Sequence, residues 1–492
     1  MTTYFHDIDY EELFGSDSGE DEKPDALRSY FVDLPEFKKF YEPENPLVIV
    51  RGRKGMGKSA LLKRLAIRLS DANGAKDIVI EATGNELMGM GDFGGADHAY
   101  LENHWKQVIC KRICVEIGKR INFALTDNTM SMVEAAEIEG FKGSNVVSAL
   151  TERVGSILQR LIPGADSDEA ASGNASAILK KGVTNPVHSV RNFQETKDRT
   201  VWLLIDDIDA KYVDDEPNQH RVGAFFSAIR SLAYSVKGLR IRTSVRTDVW
   251  RNLRHMEDQD KIRQYVIDIH WKDATLRSIF AKRILSYLQR EKFPPAIKWD
   301  PTIHYDEIVG QVFDGKLPWD NQRVEPFVPI KILAGNRPRW MGQLCKLAGS
   351  HAAPSRIGMK DVSHAMSEFG QEKISDILKE HSHQFSDLSK VIDVFRSGKR
   401  EYNRYQLITL LQKNYAEKLP GAVPTVNGYP YQEADQIAEF LFQIDFVSSH
   451  HPGKSDFISY QNDPDAFRSN ENQQNKLMWT VNASYRNFLR IV

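Results

Sequence analysis

Apolar residues fall along the chain in two rhythms. Leu47-Val48-Ile49-Val50 and Val201-Trp202-Leu203-Leu204-Ile205 are uninterrupted runs, the pattern of strands covered on both faces of a parallel sheet. Ile78-Val79-Ile80 is a shorter run of the same kind, and Leu239 to Val245 supplies a fourth strand. Between the runs the period changes. Ser59 to Ala66 is rich in helix formers. Trp105, Val108, Ile109, Ile113 and Ile117 share one side of a helix over 101–122, and another helix is expected from about Val222 to Val236. Strands alternating with helices predict an α/β domain.

Two stretches break the rhythm. Gly84 to Gly95 carries too much glycine for a regular element. Residues 123–196 read as an insertion, with a helix expected from Val146 to Leu161 and a loop running from Pro163 to Asn185-Pro186. From 272 to about 380 the pattern is mainly helical, with a loop-rich interruption between Phe293 and Val328. Residues 384–492 combine helices near 386–396, 404–417 and 431–444 with β-like runs at Phe446-Val447-Ser448 and Phe457-Ile458-Ser459-Tyr460. The expected divisions are 1–29, 30–271 with its 123–196 insertion, 272–383 and 384–492.

Composition narrows the classes. At ~150 residues per domain, the 492 residues suggest about three domains. Lys plus Arg is 65 and Asp plus Glu is 67, a formal net charge of -2, so no global electrostatic grip on nucleic acid is expected. The excess acid sits at the start, where Ser16-Asp17-Ser18-Gly19-Glu20-Asp21-Glu22 reads as part of a solvated tail over 1–29. Cys110, Cys114 and Cys345 suit neither a disulfide framework nor a CxxC zinc site, and packing explains them. No apolar run approaches the ~20 residues that span a bilayer. The acidic amino terminus lacks the basic start and apolar stretch of a secretory signal, so a cytoplasmic chain with no membrane partner is expected.

Candidate chemistry begins at Gly52-Arg53-Lys54-Gly55-Met56-Gly57-Lys58-Ser59, a full match to G-x-x-x-x-G-K-[ST] between an apolar strand and a helix. Glycines let backbone N–H groups curl around phosphates, and the helix N-terminus adds favourable partial charge. Gly52 through Ala60 therefore form the expected nucleotide loop, with Lys58 reaching the β- and γ-phosphates and the Ser59 hydroxyl ligating Mg²⁺. Leu203-Leu204-Ile205-Asp206-Asp207-Ile208-Asp209 ends a strand in carboxylates at the edge where α/β ligands bind. Asp206 is the expected Mg²⁺ partner through water, and Asp207 the general base for an attacking water. Asp209 either joins the site or caps the next helix.

Two further segments are candidates. Ser244-Val245-Arg246-Thr247-Asp248 follows a strand expected beside the one ending at Asp206, so Arg246 senses the γ-phosphate or is a surface arginine with Asp248 as a helix cap. Gly335-Asn336-Arg337-Pro338-Arg339-Trp340 opens a helix, and Arg337 or Arg339 is expected to fold a helical domain onto the nucleotide. Gly89-Met90-Gly91-Asp92-Phe93-Gly94 matches GxGxxG without a helix opening from it and reads as a loop. His381, His383, His450 and His451 lack a companion Cys/His cluster and read as exposed histidines.

Taken in order, the phosphate loop, acidic strand, polar strand end and helical lid resemble the AAA+ and STAND branch of P-loop ATPases, over about residues 30–380. The wording Gly-Arg-Lys-Gly-x-Gly-Lys-Ser-Ala is also similar to ATPases of bacterial anti-phage defence gene clusters. The resemblance implies an α/β P-loop NTPase sheet with a helical lid domain, followed here by a C-terminal winged-helix-like α+β domain. It implies ATP and Mg²⁺ as cofactors, and a neighbour's arginine completing the site, for which Arg254 and Arg263 are the candidates. The double aspartate at 206–207 is common in the STAND branch and favours a slow switch over a fast motor. The implied partners are copies of the chain, a separate effector protein, or both. The third helix of the winged region, Tyr431 to Phe440, carries acids that repel phosphate, so DNA is not favoured; an origin-recognition-like loader is the alternative.

Overall fold

The computed structural model describes residues 8–491 apart from 20, 74–76, 90–96, 121–126, 139–184, 197–199, 211, 214, 254–258, 320, 383, 419–424, 427–428, 431–432, 454–456 and 461. The helix expected at Val146–Leu161 and the candidate Arg254 lie outside the described residues.

The acidic amino-terminal segment is not a solvated tail. Helix α1 (Tyr10–Phe14) is capped by the Asp9 carboxylate and buries Tyr10, Leu13 and Phe14, and α2 (Pro24–Tyr30) buries Ala26 and Leu27. The acids between and around them have cationic partners: Asp17 with Lys346 at 2.6 Å, and Glu22 with Arg283 at 2.9 Å. Local charge hides this segment's role, because its few apolar residues face a lid that lies more than 240 residues away in sequence.

The core is one parallel sheet. Strands β1 (Leu47–Gly52), β2 (Ile78–Thr83), β3 (Val201–Asp206), β4 (Leu239–Arg246) and β5 (Val266–Asp268) lie in the order β2-β3-β4-β1-β5, every neighbouring pair parallel. β1 is fully buried through Val50 and β3 through Ile205, matching their uninterrupted apolar runs. Helix α3 (Lys58–Asn73) follows β1. Gly84–Gly89, expected to be irregular, forms helix α4. A Cβ at Gly84 would lie 2.5 Å from the Ile208 Cα, so the glycine serves close backbone approach as well as helix entry. α5 (His98–Arg120) buries the whole predicted stripe together with Cys110 and Cys114. α6 (Asp127–Ile138) and α7 (Pro186–Thr196) occupy parts of the 123–196 insertion, and Met132 packs so tightly on α5 that a Cβ at Gly118 would collide with its carbonyl. α8 (Glu216–Ser235) joins β3 to β4, and α9 (Thr247–Asn252) follows β4.

Beyond β5, helix α10 (Asp273–Arg290) opens the lid. The loop-rich interruption contains a two-stranded hairpin, β6 (Leu317–Trp319) with β7 (Gln322–Val324). Helices α11 (Phe327–Leu333), α12 (Pro338–Ala352) and α13 (Met359–His381) complete it. Cys345 is buried in α12.

The carboxyl-terminal region runs α14 (Leu388–Asp393), β8 (Glu401–Asn403), α15 (Arg404–Asn414), α16 (Ala434–Gln443), β9 (Val447–His450) and β10 (Met478–Val481), ending in α17 (Ala483–Leu489). Helix, strand, two helices and two strands around an antiparallel sheet of order β9-β10-β8 give the winged-helix-like α+β unit expected. The last strand is misplaced in the sequence reading. Ile458 makes only an isolated bridge to Ser449, and Met478–Val481 pairs instead, aided by Trp479 fully buried between Phe442 and Phe467. His381 and His450 are buried rather than exposed, His381 Nδ1 lying 2.6 Å from Gln384 Oε1. One continuous hydrophobic core joins α1, the lid and the winged-helix unit; Trp340, Phe369 and Tyr485 belong to it. No helix among the described residues is long and apolar enough to cross a membrane.

Candidate functional site

The phosphate loop takes its shape from two glycines. Gly55 (φ 81°) and Gly57 (φ 93°) adopt left-handed backbone that side chains with a Cβ resist. Around them the loop is fastened from outside. Trp271 donates its indole N–H to the Met56 carbonyl at 2.9 Å, and the Arg339 N–H at the start of α12 approaches the Gly55 carbonyl at 3.3 Å. Lys58 is only 8% exposed, its ammonium donating to the Arg53 carbonyl at 3.3 Å. These contacts hold the N-terminus of α3 facing a cavity of about 590 Å³.

Gly55 through Ala60, Asp207, Arg246 and Arg339 all line that cavity. Gly52 ends β1 beneath the loop. The lid arginines part company here. Arg339 faces the cavity, whereas Arg337 lies over the Trp340 ring at 4.1 Å and reaches Asp445 in the winged-helix unit at 3.5 Å. Arg53 also turns away, forming an ion pair with Asp445. Burial, with Arg337 and Arg251 nearby, pulls Arg53 down to about 9. Lys54 lines the cavity and pairs with Asp376 of α13 at 3.1 Å.

The acidic strand end is organised by its neighbour. Ser244 on β4 donates its hydroxyl to Asp206 Oδ1, which also accepts the Asp207 N–H at 3.0 Å. Asp207, just past the strand with φ 51°, lines the cavity. Asp209 does not cap the next helix; Asp215 does. Instead Asp209 is 1% exposed beside the cavity, and Oδ2 accepts the Arg246 N–H at 2.6 Å. Burial pushes its carboxyl above the usual range, against the pull of Arg246 and Lys58. The Arg246 side chain is held by Asp248 and by Glu380 of α13, so Asp248 serves as an ion-pair partner and not as a cap. Despite burial, those two acids keep the guanidinium more firmly charged than usual.

This arrangement suits a nucleoside triphosphate. The residues fit a magnesium ion of the kind that shares its ligands with phosphate and water: Ser59 lines the cavity, and Asp206 Oδ2 makes no hydrogen bond among the described residues. Among those residues no group of three or more His, Cys, Asp or Glu side chains forms a cage for a metal on its own.

A phosphate loop after β1, acids ending β3, and the central, polar strand β4 between them decide the architecture. The fold is that of a P-loop NTPase. Similar solved structures include a Walker-type ATPase of Pyrococcus abyssi, 14% identical, with a TM-score of 0.40, covering 96% of this chain and 100% of that one. The ORC2 protein of Aeropyrum pernix, solved as ADPNP–ADP complexes, is 12% identical with a TM-score of 0.40, covering 90% of this chain and 86% of that one. Domain III of the replication initiation protein DnaA of Thermotoga maritima is 13% identical with a TM-score of 0.32, covering 70% and 98%. No protein-family model and no curated protein matches the sequence.

Several cavity residues have no sequence signal. Asp17, Gly19 and Glu22 come from the supposed tail and Tyr30 directly follows it, and a Cβ at Gly19 would lie 2.8 Å from the Ala60 backbone nitrogen. Trp271 follows a three-residue strand too short to show a period. Asp445 lies nearly 400 residues from the loop arginine it binds.

Proposed function

We propose that this chain is an ATP-binding, slowly hydrolysing molecular switch whose nucleotide state sets the position of the lid and the winged-helix unit. The observation that carries it is the double attachment of the phosphate loop: adjacent residues just ahead of Lys58 reach two different units, Lys54 to α13 of the lid and Arg53 to Asp445 of the winged-helix unit. A loop that reshapes around phosphates acts on both attachments. Lys58 and Arg339 supply charge to the transferred phosphoryl group, and Asp207 orients the attacking water and accepts its proton. Water oxygen bonds to the γ-phosphorus as the bond to the ADP oxygen breaks. Ser59, and Asp206 through water, would hold Mg²⁺, which would supply charge neutralisation at the phosphates.

The output of this switch is assembly with further copies or with an effector protein. Arg263, exposed on the helix Gln259–Arg263, is the described candidate for a residue acting in a neighbouring site. A role in anti-phage defence and a place in the STAND branch rest on the resemblance of the phosphate loop and the double aspartate. The loader reading is weaker on this surface: α16, the helix a DNA reader would present, buries Ile437, Phe440 and Leu441, and Glu439 is ion-paired with Arg468.

Steady-state ATP hydrolysis with and without double-stranded DNA tests the reading. Turnover lost by at least about 100-fold in Lys58→Ala and Asp207→Asn, with ATP binding kept only in Asp207→Asn, is the expected result. Turnover that survives Lys58→Ala removes the site, and strong stimulation by DNA replaces the switch with a loader.

A further inference from the structure

We infer that Glu380, at the end of lid helix α13, competes with the γ-phosphate for Arg246 and so lets the lid distinguish ATP from ADP; this rests on the nucleotide-site reading above. Arg246 ends β4 and lines the cavity. In the sheet it lies opposite Gly52, where the phosphate loop begins. The Asp209 carboxylate that accepts the Arg246 N–H also feels the charge of Lys58, which places both cations at one end of the cavity. That end takes the β- and γ-phosphates.

The guanidinium has two acidic partners of different origin. Asp248 accepts from Nε at 3.2 Å and from Nη2, and it lies two residues on from Arg246, so it stays with the arginine wherever the lid goes. Glu380 Oε1 lies 3.5 Å from Nε and belongs to the lid. Arg246 is its only ion-pair partner among the described residues; nearby Arg53, which Glu380 also attracts, is paired with Asp445. The two side chains are 16% and 11% exposed, so solvent and salt screen the pair weakly. Glu380 lines the same cavity, and a phosphate arriving at Arg246 therefore meets the carboxylate that holds it. Two anions sharing one shielded cation repel each other. Arg246 exchanges Glu380 for the γ-phosphate, which frees the end of α13 from β4. ADP lacks that phosphate and leaves the pair in place. Glu380 is thus a positioning residue, acting on the nucleotide through Arg246.

Calorimetric titration of the full chain with Mg-ADP and with Mg-ADPNP, an ATP analogue that is not hydrolysed, gives the ratio of the two affinities. Glu380→Gln, in which Asp248 still holds the arginine, should shift that ratio toward the triphosphate by about tenfold. Glu368→Gln makes the same charge change at an exposed position of α13 away from the cavity, and should leave the ratio at its wild-type value. Glu380→Asp draws the carboxylate back by one methylene and should shift the ratio the same way by less, which decides the matter if Glu380→Gln fails to fold. In the wild type, amide hydrogen exchange in the last turn of α13 should quicken with ADPNP and not with ADP. An unchanged or reversed ratio in the Glu380 variants overturns the inference, as does an equal shift in Glu368→Gln or the same exchange with both nucleotides. If the wild type binds neither nucleotide, or binds both as well after Lys58→Ala, the site reading itself falls and takes this inference with it. Binding that disappears in Lys58→Ala keeps the site and leaves the ratio as the test of Glu380.

Discussion

Asp209 shows how much a single carboxylate can be asked to tolerate. It sits beside the cavity with one oxygen bonded to the Arg246 N–H and the other, Oδ1, buried without a hydrogen-bond partner among the described residues. The charged groups facing it are Arg246, Lys58 and Asp248, and burial outweighs them, raising its carboxyl above the ordinary range. An acid raised on folding costs stability as pH increases. Below the ordinary carboxylate range, near pH 4, the group is neutral in both states; above it the unfolded chain ionises first, and folding must reverse that. Asp209→Asn keeps the acceptor for Arg246 and removes the ionisation. Its thermal unfolding should therefore move up relative to the wild type on going from pH 5 to pH 8, by about 1–3 kcal/mol of stability. A difference that does not change between the two pH values would show that Asp209 titrates normally.

At the scale of elements, the contact between lid and winged-helix unit depends on Gly370 in α13. A Cβ there would lie 2.9 Å from the Phe488 Cβ and 3.1 Å from the Ser484 carbonyl, both in α17. Alanine is normally the better helix former by about 1 kcal/mol. Gly370→Ala should nevertheless destabilise the protein by about 1–3 kcal/mol through overpacking, whereas Gly89→Ala, with no heavy atom within 4 Å of the new Cβ, should not. A higher unfolding temperature for Gly370→Ala would mean that α17 moves aside freely. Such tertiary demands mark the boundary of what the chain shows by itself. β1, β3 and the phosphate loop were legible because burial on both faces leaves an apolar run, and phosphate binding leaves glycines at fixed spacing. α1 was not legible, since five residues make little more than one turn and its acids suggest solvent. The final strand was misplaced because Phe457 to Tyr460 and Met478 to Val481 are both β-like, and only pairing with Glu401–Asn403 distinguishes them. Which lid arginine faces the cavity was likewise undecidable: Arg337 and Arg339 flank the same proline, and α12's orientation separates them.

For the whole molecule, the cluster around Asp445 is where the phosphate loop meets the carboxyl-terminal unit. Asp445 has φ 62° at the end of α16 and binds Arg53 and Arg337 together. All three side chains are largely buried, and Asp445 is the carboxylate that pairs with both arginines, while Glu380 and Asp248 also attract Arg53. Removing one member of a buried ionic group costs more than the group's net worth, about 3–5 kcal/mol, because it strands the remaining charge. Asp445→Ala should thus destabilise the docked arrangement by that amount. The two arginines can recover water only if the winged-helix unit swings away, so small-angle scattering should report a larger radius of gyration. Turnover should rise as well, since the loop loses the attachment opposing its movement. Adding Arg337→Met to Asp445→Ala should cost much less than Arg337→Met alone, because the charge it removes is already stranded. Additive losses, with an unchanged radius and rate, would show that the winged-helix unit is held by its shared hydrophobic core alone. Coupling between nucleotide and carboxyl-terminal unit would then have to run through Lys54, Asp376 and α13 instead, the other arm attached to the loop.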